Sequence, residues 1–560
     1  MKTFKTLFIL SLFIGPLNGI AQLCDQSSEY LDLTTSRTSV RHTTSGSLWW
    51  SGGDGQFIVD DSNLSSSPVP AMFVGGLWVG SLDDAGNLKI ATSLYGMNSG
   101  RTDWWSGPLA DGGQPSSENC SNFDKVWEIT KTDIQAFRED FEDNGILDDD
   151  IPSSIRSWPG RDNPMSLEAN GFNLPIGRKL APFVDQNNDG VYNPQDGDYP
   201  FTKDAVSANW WIINDNGNIH RESNGDPLKI EVSFLAYHFP TATGESTRVY
   251  YDLELTNRAN EPQNELYAGL WMDPDMGCHM DDYVGCLPDE NLAFLYNGDQ
   301  IDGDDNNACS GLPTFDIDIP FVGVKILEGL TDDNNDLGMS SFMYFPSAYL
   351  SHPGANGLTN PQEFYNFLKG IWKDGTPLTF GGDGYDPGGT PTKFAYSDPP
   401  NLDGGWSMCQ ESTTPQDFRM MMNSGPVRME PEQVKKFSFV TIVTGAVDHP
   451  CPDLSTLITA GAVAQQIYDN SPSSIKNQIE KTAVYVSPNP ASDFININVS
   501  ETENIDYLKL ITADGKIVFE KGNIQSNGLR LDRANYPSGI YFLQVISEEG
   551  KIGEEKIIFR

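Results

Sequence analysis

The feature that most constrains the fold is a series of short apolar runs, each bounded by turn residues. Residues 228–239, 248–257 and 265–272 alternate in polarity or are continuously apolar, and residues 250–255 have the composition of a strand. The 53 glycines and 36 prolines provide the turns that many short strands require. This spacing predicts a mainly β chain built on an antiparallel β-sandwich with long loops.

Three segments have the period of an amphipathic helix instead. Residues 132–141 begin with a capping box and place Ile134 and Phe137 on one side. Residues 361–373 begin with a proline, which is favoured at the first helical position, and residues 454–469 carry apolar side chains in phase. A few short helices should therefore accompany the strands.

The chain divides into a large body and a small carboxyl-terminal part. At 560 residues it exceeds one typical domain. We predict a β-rich passenger over residues 22–470, a polar linker over residues 471–483, and a separate domain over residues 484–560. The passenger is either one sandwich with insertions or two subdomains with a boundary near residues 205–225.

The net charge is −42, and most of it belongs to the passenger, since residues 484–560 carry eight basic and eleven acidic residues. Nucleic acid and anionic membranes are poor partners for this chain, because both would repel it. Two interpretations of the acidity stay open. One is solubility outside the cell, and the other is that many aspartates bind Ca²⁺.

The first residues have the pattern of a secretory signal peptide. Lys2 and Lys5 precede an apolar run over residues 7–14, and the small residues Gly19 and Ala21 precede a cleavage point. We predict a signal peptide over residues 1–21 and passage through the periplasm. No other run is long and apolar enough for a membrane helix, so the mature chain should lack a transmembrane segment.

The last part of the chain carries a set of short motifs. They are a PNP opening, an ADG turn, a PSGIYFLQV strand and a basic end. This part resembles the type A C-terminal sorting domain of the type IX secretion system of Bacteroidota. The resemblance implies a small β-sandwich that serves as an address, handling by the type IX machinery, and a final location at the outer cell surface or in the medium. The residues that carry it are Pro488, Asn489, Pro490, Asp514, Gly515, Pro537, Gly539 and Tyr541.

A twelve-residue segment fits the D-x-[DN]-x-[DN]-G pattern of a calcium loop, with an acid at position 12. It is similar to the calcium loops of dockerins. Side-chain oxygens at alternate positions and one backbone carbonyl would surround a structural Ca²⁺, while prolines on both sides make flanking helices improbable. The predicted ligands are Asp185, Asn187, Asp189, Val191 and Asp196. The alternative is a turn that binds nothing.

A second acidic stretch could form a site across its loop, although solvated turns are the favoured interpretation. Its acids are Asp273, Asp275, Asp281, Asp282, Asp302, Asp304 and Asp305.

Seven cysteines in an exported chain indicate disulfides, and the odd number leaves at least one free or paired elsewhere. Cys278 and Cys286 flank a short loop, so we predict that they pair. No CxxC motif supports a zinc site.

Catalytic motifs find little support. None of the six histidines lies in an HExxH motif, and no GxSxG elbow or P-loop occurs. Paired carboxylates of a glycosidase stay open, because sequence distance does not give spatial distance. Three tryptophan pairs, at residues 49–50, 104–105 and 210–211, admit a sugar-stacking role, but packing in the core is favoured.

The leading hypothesis is a secreted or surface-attached, non-enzymatic protein that calcium stabilises and that acts in adhesion or surface structure. Its partner would be a surface glycan or protein. The alternatives are a secreted hydrolase of polysaccharide or protein, and a glycan-binding module.

Overall fold

The structure is a computed structural model that describes residues 24–50, 52–96, 100–241, 246–303, 307–346, 352–355, 357–471, 484–499, 504–512, 516–522, 524–533, 536–547 and 552–560. The predicted signal peptide and all but the first residue of the predicted linker lie outside these ranges. The chain forms two compact units that divide between residues 471 and 472.

The passenger is built mainly from strands. They are β1 (Tyr30–Thr34), β2 (Thr38–Thr43), β3 (Ser47–Leu48), β4 (Phe57–Val59), β5 (Val69–Met72), β6 (Val74–Leu82), β7 (Leu88–Ala91), β8 (Trp105–Ser106), β9 (Trp127–Thr130), β10 (Phe183–Val184), β11 (Tyr199–Pro200), β12 (Ser207–Asn214), β13 (Ile230–His238), β14 (Thr247–Asn257), β15 (Gln263–Asp273), β16 (Asp282–Leu287), β17 (Leu292–Asn297), β18 (Pro320–Glu328), β19 (Thr331–Asp332), β20 (Asn335–Asp336), β21 (Ser341–Pro346), β22 (Phe418–Met429) and β23 (Val434–Ala446). The helices are α1 (Ser117–Asn122), α2 (Lys131–Asn144), α3 (Ser153–Ser157), α4 (Ser166–Asn170), α5 (Pro361–Leu368) and α6 (Ser455–Asn470).

Two large sheets carry most of these strands, and the mainly β prediction is confirmed. The ten-stranded sheet has the order β21-β22-β15-β6-β3-β2-β4-β5, with β1 beside β2 and β7 beside β6. The nine-stranded sheet has the order β16-β17-β18-β23-β14-β13-β12-β8, with β9 beside β12. Their long neighbouring strands run antiparallel.

The two sheets face each other across one core. The rings of His42 on β2 and Trp211 on β12 stack with their centroids 4.8 Å apart. Trp49, just after β3, reaches Tyr251 on β14. Strand β12 lies inside residues 205–225 and pairs with β13 as well as with β8 and β9. Within the described residues up to 471 the chain forms one compact unit, and β12 joins the strands on both sides of residues 205–225 in one sheet.

Helices cover the outer faces of both sheets. On the ten-stranded sheet, Phe364 of α5 packs against Trp78 of β6, with ring centroids 5.0 Å apart. On the nine-stranded sheet, Leu457 of α6 sits so close to Gly323 of β18 that a Cβ there would lie 2.7 Å from its Cδ1. Because both faces are covered, β6 and β18 are buried over almost their whole length.

The predicted helices exist, with ends that differ from the prediction. The N-cap of α2 is Thr130, whose hydroxyl accepts a hydrogen bond from the Asp133 N–H at 3.1 Å, and the helix ends at Gly145 with φ 77°. Helix α5 begins at Pro361 as predicted, but it ends at Leu368 because the chain turns at Gly370, where φ is 67°.

Three disulfides link the passenger: Cys24–Cys120, Cys278–Cys309 and Cys409–Cys451. The predicted Cys278–Cys286 bond is therefore wrong, and Cys286 is a free, buried thiol. Cys286 lies within β16, opposite Ala293 of β17, and an extended strand holds it away from Cys278. The partner of Cys278 is 31 residues further along the chain, near the end of residues 273–312, which we call the acidic loop.

Residues 484–560 form a small sandwich of their own, as predicted. Its strands are β24 (Tyr485–Ser487), β25 (Phe494–Asn498), β26 (Ile505–Thr512), β27 (Ile517–Lys521), β28 (Gly528–Asp532), β29 (Gly539–Ser547) and β30 (Ile552–Phe559). They form a three-stranded sheet, β24-β25-β28, and a four-stranded sheet, β27-β26-β29-β30. Ile495 and Ile497 on the first sheet share a core with Leu508 and Leu543 on the second.

Candidate functional site

The predicted calcium loop is closed at its base by a two-stranded ribbon. Strand β10 leads into the loop and β11 leaves it, with Val184 opposite Tyr199. Within the loop, Asn188 and Gly190 adopt left-handed backbone angles, with φ 60° and 78°. Two such turns within three residues coil the chain tightly, and this brings side chains at alternate positions to one side.

Asp185 is the first residue of the loop, and only one of its two carboxylate oxygens accepts a hydrogen bond from a described residue. Its Oδ2 accepts a hydrogen bond from the Gly190 N–H at 2.8 Å. Its Oδ1 is buried and has no hydrogen-bond donor among the described residues. A buried carboxylate oxygen without a donor is costly unless a cation or a proton reaches it.

Asn187, Asp189 and Asp196 converge at the other side of the coil. The Asn187 amide nitrogen donates to Asp189 Oδ2 at 2.9 Å and lies 3.5 Å from Asp196 Oδ2. Asp189 Oδ1 accepts from the Val191 N–H at 2.8 Å. Asp196 lies in a short 3-10 helix, Pro194–Asp196. The structure thus brings the predicted side-chain ligands into one coil.

The sequence analysis missed Asp198, which holds the loop closed. Its side chain is fully buried, and its two oxygens accept from the Gln186 N–H at 2.7 Å and the Asn193 N–H at 2.8 Å. Burial raises the pKa of Asp198, and the charges of Asp185 and Asp189 raise it further. The only sequence signal was a fourth acid, two residues beyond the pattern.

A second acidic group forms where β15 ends and β22 begins. Carboxylate oxygens of Asp273, Asp275 and Asp417 all lie within 4.8 Å of one another. The sequence analysis named the first two and missed Asp417, and Asp304 and Asp305 lie outside the described residues. Burial raises the pKa of Asp273 and of Asp275, and repulsion from the neighbouring carboxylates raises it further, while Arg419 opposes the shift.

The tryptophan pairs are core residues, as favoured. All six side chains are buried, so none offers an exposed ring for stacking on a sugar. In the third pair, Trp210 packs outward against Trp127, and Trp211 packs inward against His42. Successive residues of a strand face opposite sides, and both sides of this sheet are covered.

A cleft of about 390 Å³ on the nine-stranded sheet contains several charged groups. Its buried acid is Glu231, whose Oε2 accepts from Arg258 Nε at 2.7 Å and whose Oε1 accepts from the Leu109 N–H at 2.6 Å. Arg178 lies 3.8 Å from the same carboxylate. With both oxygens engaged, Glu231 has the environment of a structural ion pair and not that of a free general acid.

The sorting motif residues have structural roles in the small sandwich. The Asn489 side chain donates to the Lys556 carbonyl at 2.6 Å and accepts from the Ile558 N–H at 2.9 Å, so it docks the PNP segment onto β30. Tyr541 donates to the Pro537 carbonyl at 2.9 Å. Pro488 and Pro490 flank Asn489, Gly539 begins β29, and Asp514 and Gly515 lie outside the described residues.

Comparisons with solved structures give only distant likenesses. CopC from Methylosinus trichosporium is 21% identical over 14% of this chain and 90% of its own, with a TM-score of 0.12. A polysaccharide lyase is 8% identical over 59% of this chain and 34% of its own, with a TM-score of 0.16. The superoxide reductase (neelaredoxin) from Ignicoccus hospitalis is 8% identical over 14% of this chain and 80% of its own, with a TM-score of 0.12. TM-scores this low carry no argument about fold or function. No curated protein matches the chain.

Within the described residues, no helix has both the length and the apolar composition needed to cross a bilayer. Residues 484–560 match the family described as the secretion system C-terminal sorting domain. This match agrees with the two-sheet sandwich and with the docked PNP segment. Residues 484–560 are therefore a type IX sorting domain, and the protein that carries them is exported to the cell surface or beyond.

Proposed function

We propose that the passenger is a non-enzymatic, calcium-stabilised protein that acts in adhesion or surface structure on a bacterium of the Bacteroidota. In this proposal a signal peptide over residues 1–21 takes the chain to the periplasm, and the type IX machinery takes it across the outer membrane. Its partner is a glycan or protein of the surface that the cell meets.

The observation that carries the proposal is the coil at residues 185–198. Asp185 bonds to the turn at Gly190, Asp198 holds the two ends of the coil, and the Asn187 amide lies between the carboxylates of Asp189 and Asp196. Extracellular fluids are rich in Ca²⁺, and a loop prepared in this way loses little conformational entropy on binding it.

Binding would require one rearrangement within the coil. The Asn187 amide nitrogen now faces the carboxylates of Asp189 and Asp196, where its hydrogens supply positive charge. Rotation of this amide would present its oxygen instead. Asp185, Asn187, Asp189 and Asp196 would then supply side-chain oxygens, and Val191 would supply its carbonyl oxygen. These are the hard ligands that Ca²⁺ prefers.

The test is an attachment assay with the native bacterium. A deletion strain is complemented with the wild-type gene, with Asp185→Ala/Asp189→Ala, or with Glu139→Gln. Glu139 is an exposed acid on α2, so this variant changes one charge outside the loop. Retention under flow on glycan-coated and protein-coated surfaces is measured with Ca²⁺ and with a chelator, and surface abundance is measured by protease shaving.

We expect the deletion and the double variant to lose attachment, and the Glu139→Gln strain to behave as the wild type. The purified protein is screened in parallel against polysaccharide and protein substrates. If the deletion strain attaches normally while the purified protein hydrolyses a substrate, the adhesion proposal is wrong and the protein is a hydrolase.

A further inference from the structure

A second acidic group lies at the junction of two neighbouring strands of the ten-stranded sheet. Asp273 is the last residue of β15, and Asp275 follows it after one proline. Asp417 directly precedes β22, which pairs with β15 through Met272 and Met420. The antiparallel pairing therefore places residues more than 140 positions apart in one small volume, with carboxylate oxygens within 4.8 Å of one another.

Each of these three carboxylates has an oxygen without a hydrogen bond. The Oδ1 atoms of Asp273, Asp275 and Asp417 are all buried, and none accepts a well-aligned hydrogen bond from a described residue, although Arg419 pairs electrostatically with those of Asp273 and Asp417. The side chain of Asp273 is only 2% exposed. Buried polar atoms in proteins almost always have a partner, and Asp275 Oδ1 has neither a hydrogen bond nor an ion pair among the described residues, which indicates a missing ligand.

One cation already borders the group, and its N–H groups are partly committed elsewhere. Arg419 Nε lies 3.0 Å from Asp273 Oδ1, but its hydrogen bond goes to the Tyr95 hydroxyl, also at 3.0 Å. Tyr95 in turn donates to Asp273 Oδ2 at 2.5 Å. Arg419 Nη1 lies 2.7 Å from Asp417 Oδ1. Three carboxylates and one guanidinium leave a charge of −2, which one divalent cation balances.

A further buried carboxylate bonds to the backbone next to Asp275. Asp282 is 1% exposed, its Oδ2 accepts from the Met276 N–H at 3.0 Å, and its Oδ1 has no donor among the described residues. Asp275 is one of the charges that act on Asp282. No histidine or cysteine belongs to the described group, so its oxygens suit a hard cation and not zinc or copper.

We infer that Asp273, Asp275 and Asp417 bind a Ca²⁺ ion that fastens the start of the acidic loop to β22. Ca²⁺ lies about 2.4 Å from its ligands, so oxygens around one ion are at most about 4.8 Å apart, and the oxygens of this group lie within that limit. The Cys278–Cys309 disulfide begins three residues after Asp275, so the ion and the disulfide would restrain the same loop.

The site has aromatic side chains close enough to report a bound lanthanide. The Tyr95 hydroxyl bonds to Asp273, and the Tyr95 ring lies 5.3 Å from that of Trp271 and 6.0 Å from that of Trp50. Tb³⁺ occupies calcium sites, and excitation of these rings should sensitise its emission. The experiment uses the purified full-length protein, stripped of metal and titrated with Tb³⁺ and then with Ca²⁺ in competition.

The test compares Asp275→Asn and Asp417→Asn with Asp189→Ala in the calcium loop, and with Asp289→Asn at an exposed turn. Bound ions per chain are counted by equilibrium dialysis and elemental analysis. We expect each of the two asparagine variants in the group to lose one ion and much of the sensitised emission, and Asp289→Asn to lose neither. Asp189→Ala should keep the ion at Asp275, so the experiment distinguishes loss of calcium at the second acidic group from loss at the calcium loop.

Thermal unfolding gives a second readout that a damaged fold would not reproduce. In the presence of a chelator, Asp275→Asn should unfold at a higher temperature than the wild type, because it removes a buried negative charge. When Ca²⁺ is added, the melting temperature of Asp275→Asn should rise by less than that of the wild type. The inference is overturned if both asparagine variants keep the wild-type ion count, or if Asp275→Asn keeps the full calcium-dependent gain in melting temperature.

Discussion

Trp49 donates its indole N–H to the hydroxyl oxygen of Tyr251 at 2.9 Å, across the interface of the two sheets. The same hydroxyl lies 3.2 Å from His42 Nε2, and all three side chains are buried. One phenol oxygen thus satisfies two polar groups of the opposite sheet. Asn209 extends this network through His42 Nδ1 at 3.1 Å, and these directional bonds restrict how the two sheets face each other.

Tyr251→Phe should destabilise the passenger by about 1–3 kcal/mol, because it leaves the buried Trp49 N–H and one His42 nitrogen without a partner. The neighbouring Tyr250→Phe is the matched control. Tyr250 is buried on the other face of β14, and its hydroxyl has no hydrogen-bond partner among the described residues. In denaturant unfolding, the free energy of unfolding of Tyr250→Phe should equal or slightly exceed that of the wild type. Equal losses in both variants would contradict the assigned role of Tyr251.

Calcium should stabilise the protein through the loop at residues 185–196. At about 1 mM Ca²⁺, a site with a dissociation constant of about 10⁻⁴ M adds about 1.4 kcal/mol to the free energy of unfolding. Asp189→Ala should lose this part of the response, which Asp275→Asn retains. Calorimetry with Ca²⁺, Mg²⁺ and a chelator checks this, and Glu139→Gln should respond as the wild type does. An unchanged calcium response in Asp189→Ala would show that the loop binds no ion.

Thiol counting tests the disulfides. The three bonds leave Cys286 as the single free thiol, and its side chain is fully buried. Burial also raises the pKa of this thiol, which further slows its reaction. We expect no thiol to react with a disulfide reagent in the native protein, one to react in denaturant, and none to react in denatured Cys286→Ala. Peptide mapping that joins Cys278 to any residue other than Cys309 would refute the pairing.

Glu222 should make stability depend on pH. Burial, reinforced by the charge of Asp103 and opposed by that of Arg101, raises the pKa of Glu222 to about 7. The folded state therefore holds this proton more tightly than the unfolded state, so stability falls as pH rises from about 4.5 to 7. Glu222→Gln keeps the side chain neutral and should remove a decline on the order of 2 kcal/mol. The free energies of unfolding of the wild type and of Glu222→Gln are measured at pH 5, 6 and 7. If the difference between them does not change with pH, Glu222 is not the source of the decline.

Removal of residues 484–560 should abolish export without unfolding the passenger. The two units have separate cores. The truncated passenger should therefore melt at the same temperature as the passenger does within the full-length protein. It should accumulate in the periplasm, as fractionation with immunoblotting would show. Asn489→Ala should reduce export less than the truncation does, since it removes only the two hydrogen bonds that dock the PNP segment onto β30. Normal surface levels of the truncated protein would contradict the sorting role.

Local patterns in the sequence predicted local structure well. The period of residues 132–141 predicts α2, and the calcium loop pattern predicts which side chains coil together, because a helix and a twelve-residue loop are both fixed by short-range geometry. Thr130 as the N-cap was missed, since a threonine two residues later fits the same pattern. The short motifs of residues 484–560 predict their fold in the same way.

Long-range pairings could not be predicted. Asp417 joins Asp275 only because β22 pairs with β15, a relationship that neither segment encodes alone. Cys286 is near Cys278 in sequence, but strand formation carries it away, and the acidic loop brings Cys309 back. Burial of the tryptophan pairs was favoured from the sequence, but the elements that cover the outer faces of the sheets could not be named from it.

The Cys24–Cys120 bond ties residue 24 to the body of the passenger, and all seven cysteines precede the sorting domain along the chain. The address therefore exists only after every cysteine of the passenger has been synthesised. A passenger whose three disulfides are closed cannot be drawn out into one extended chain, so an exporter that receives it in this form must pass a cross-linked body.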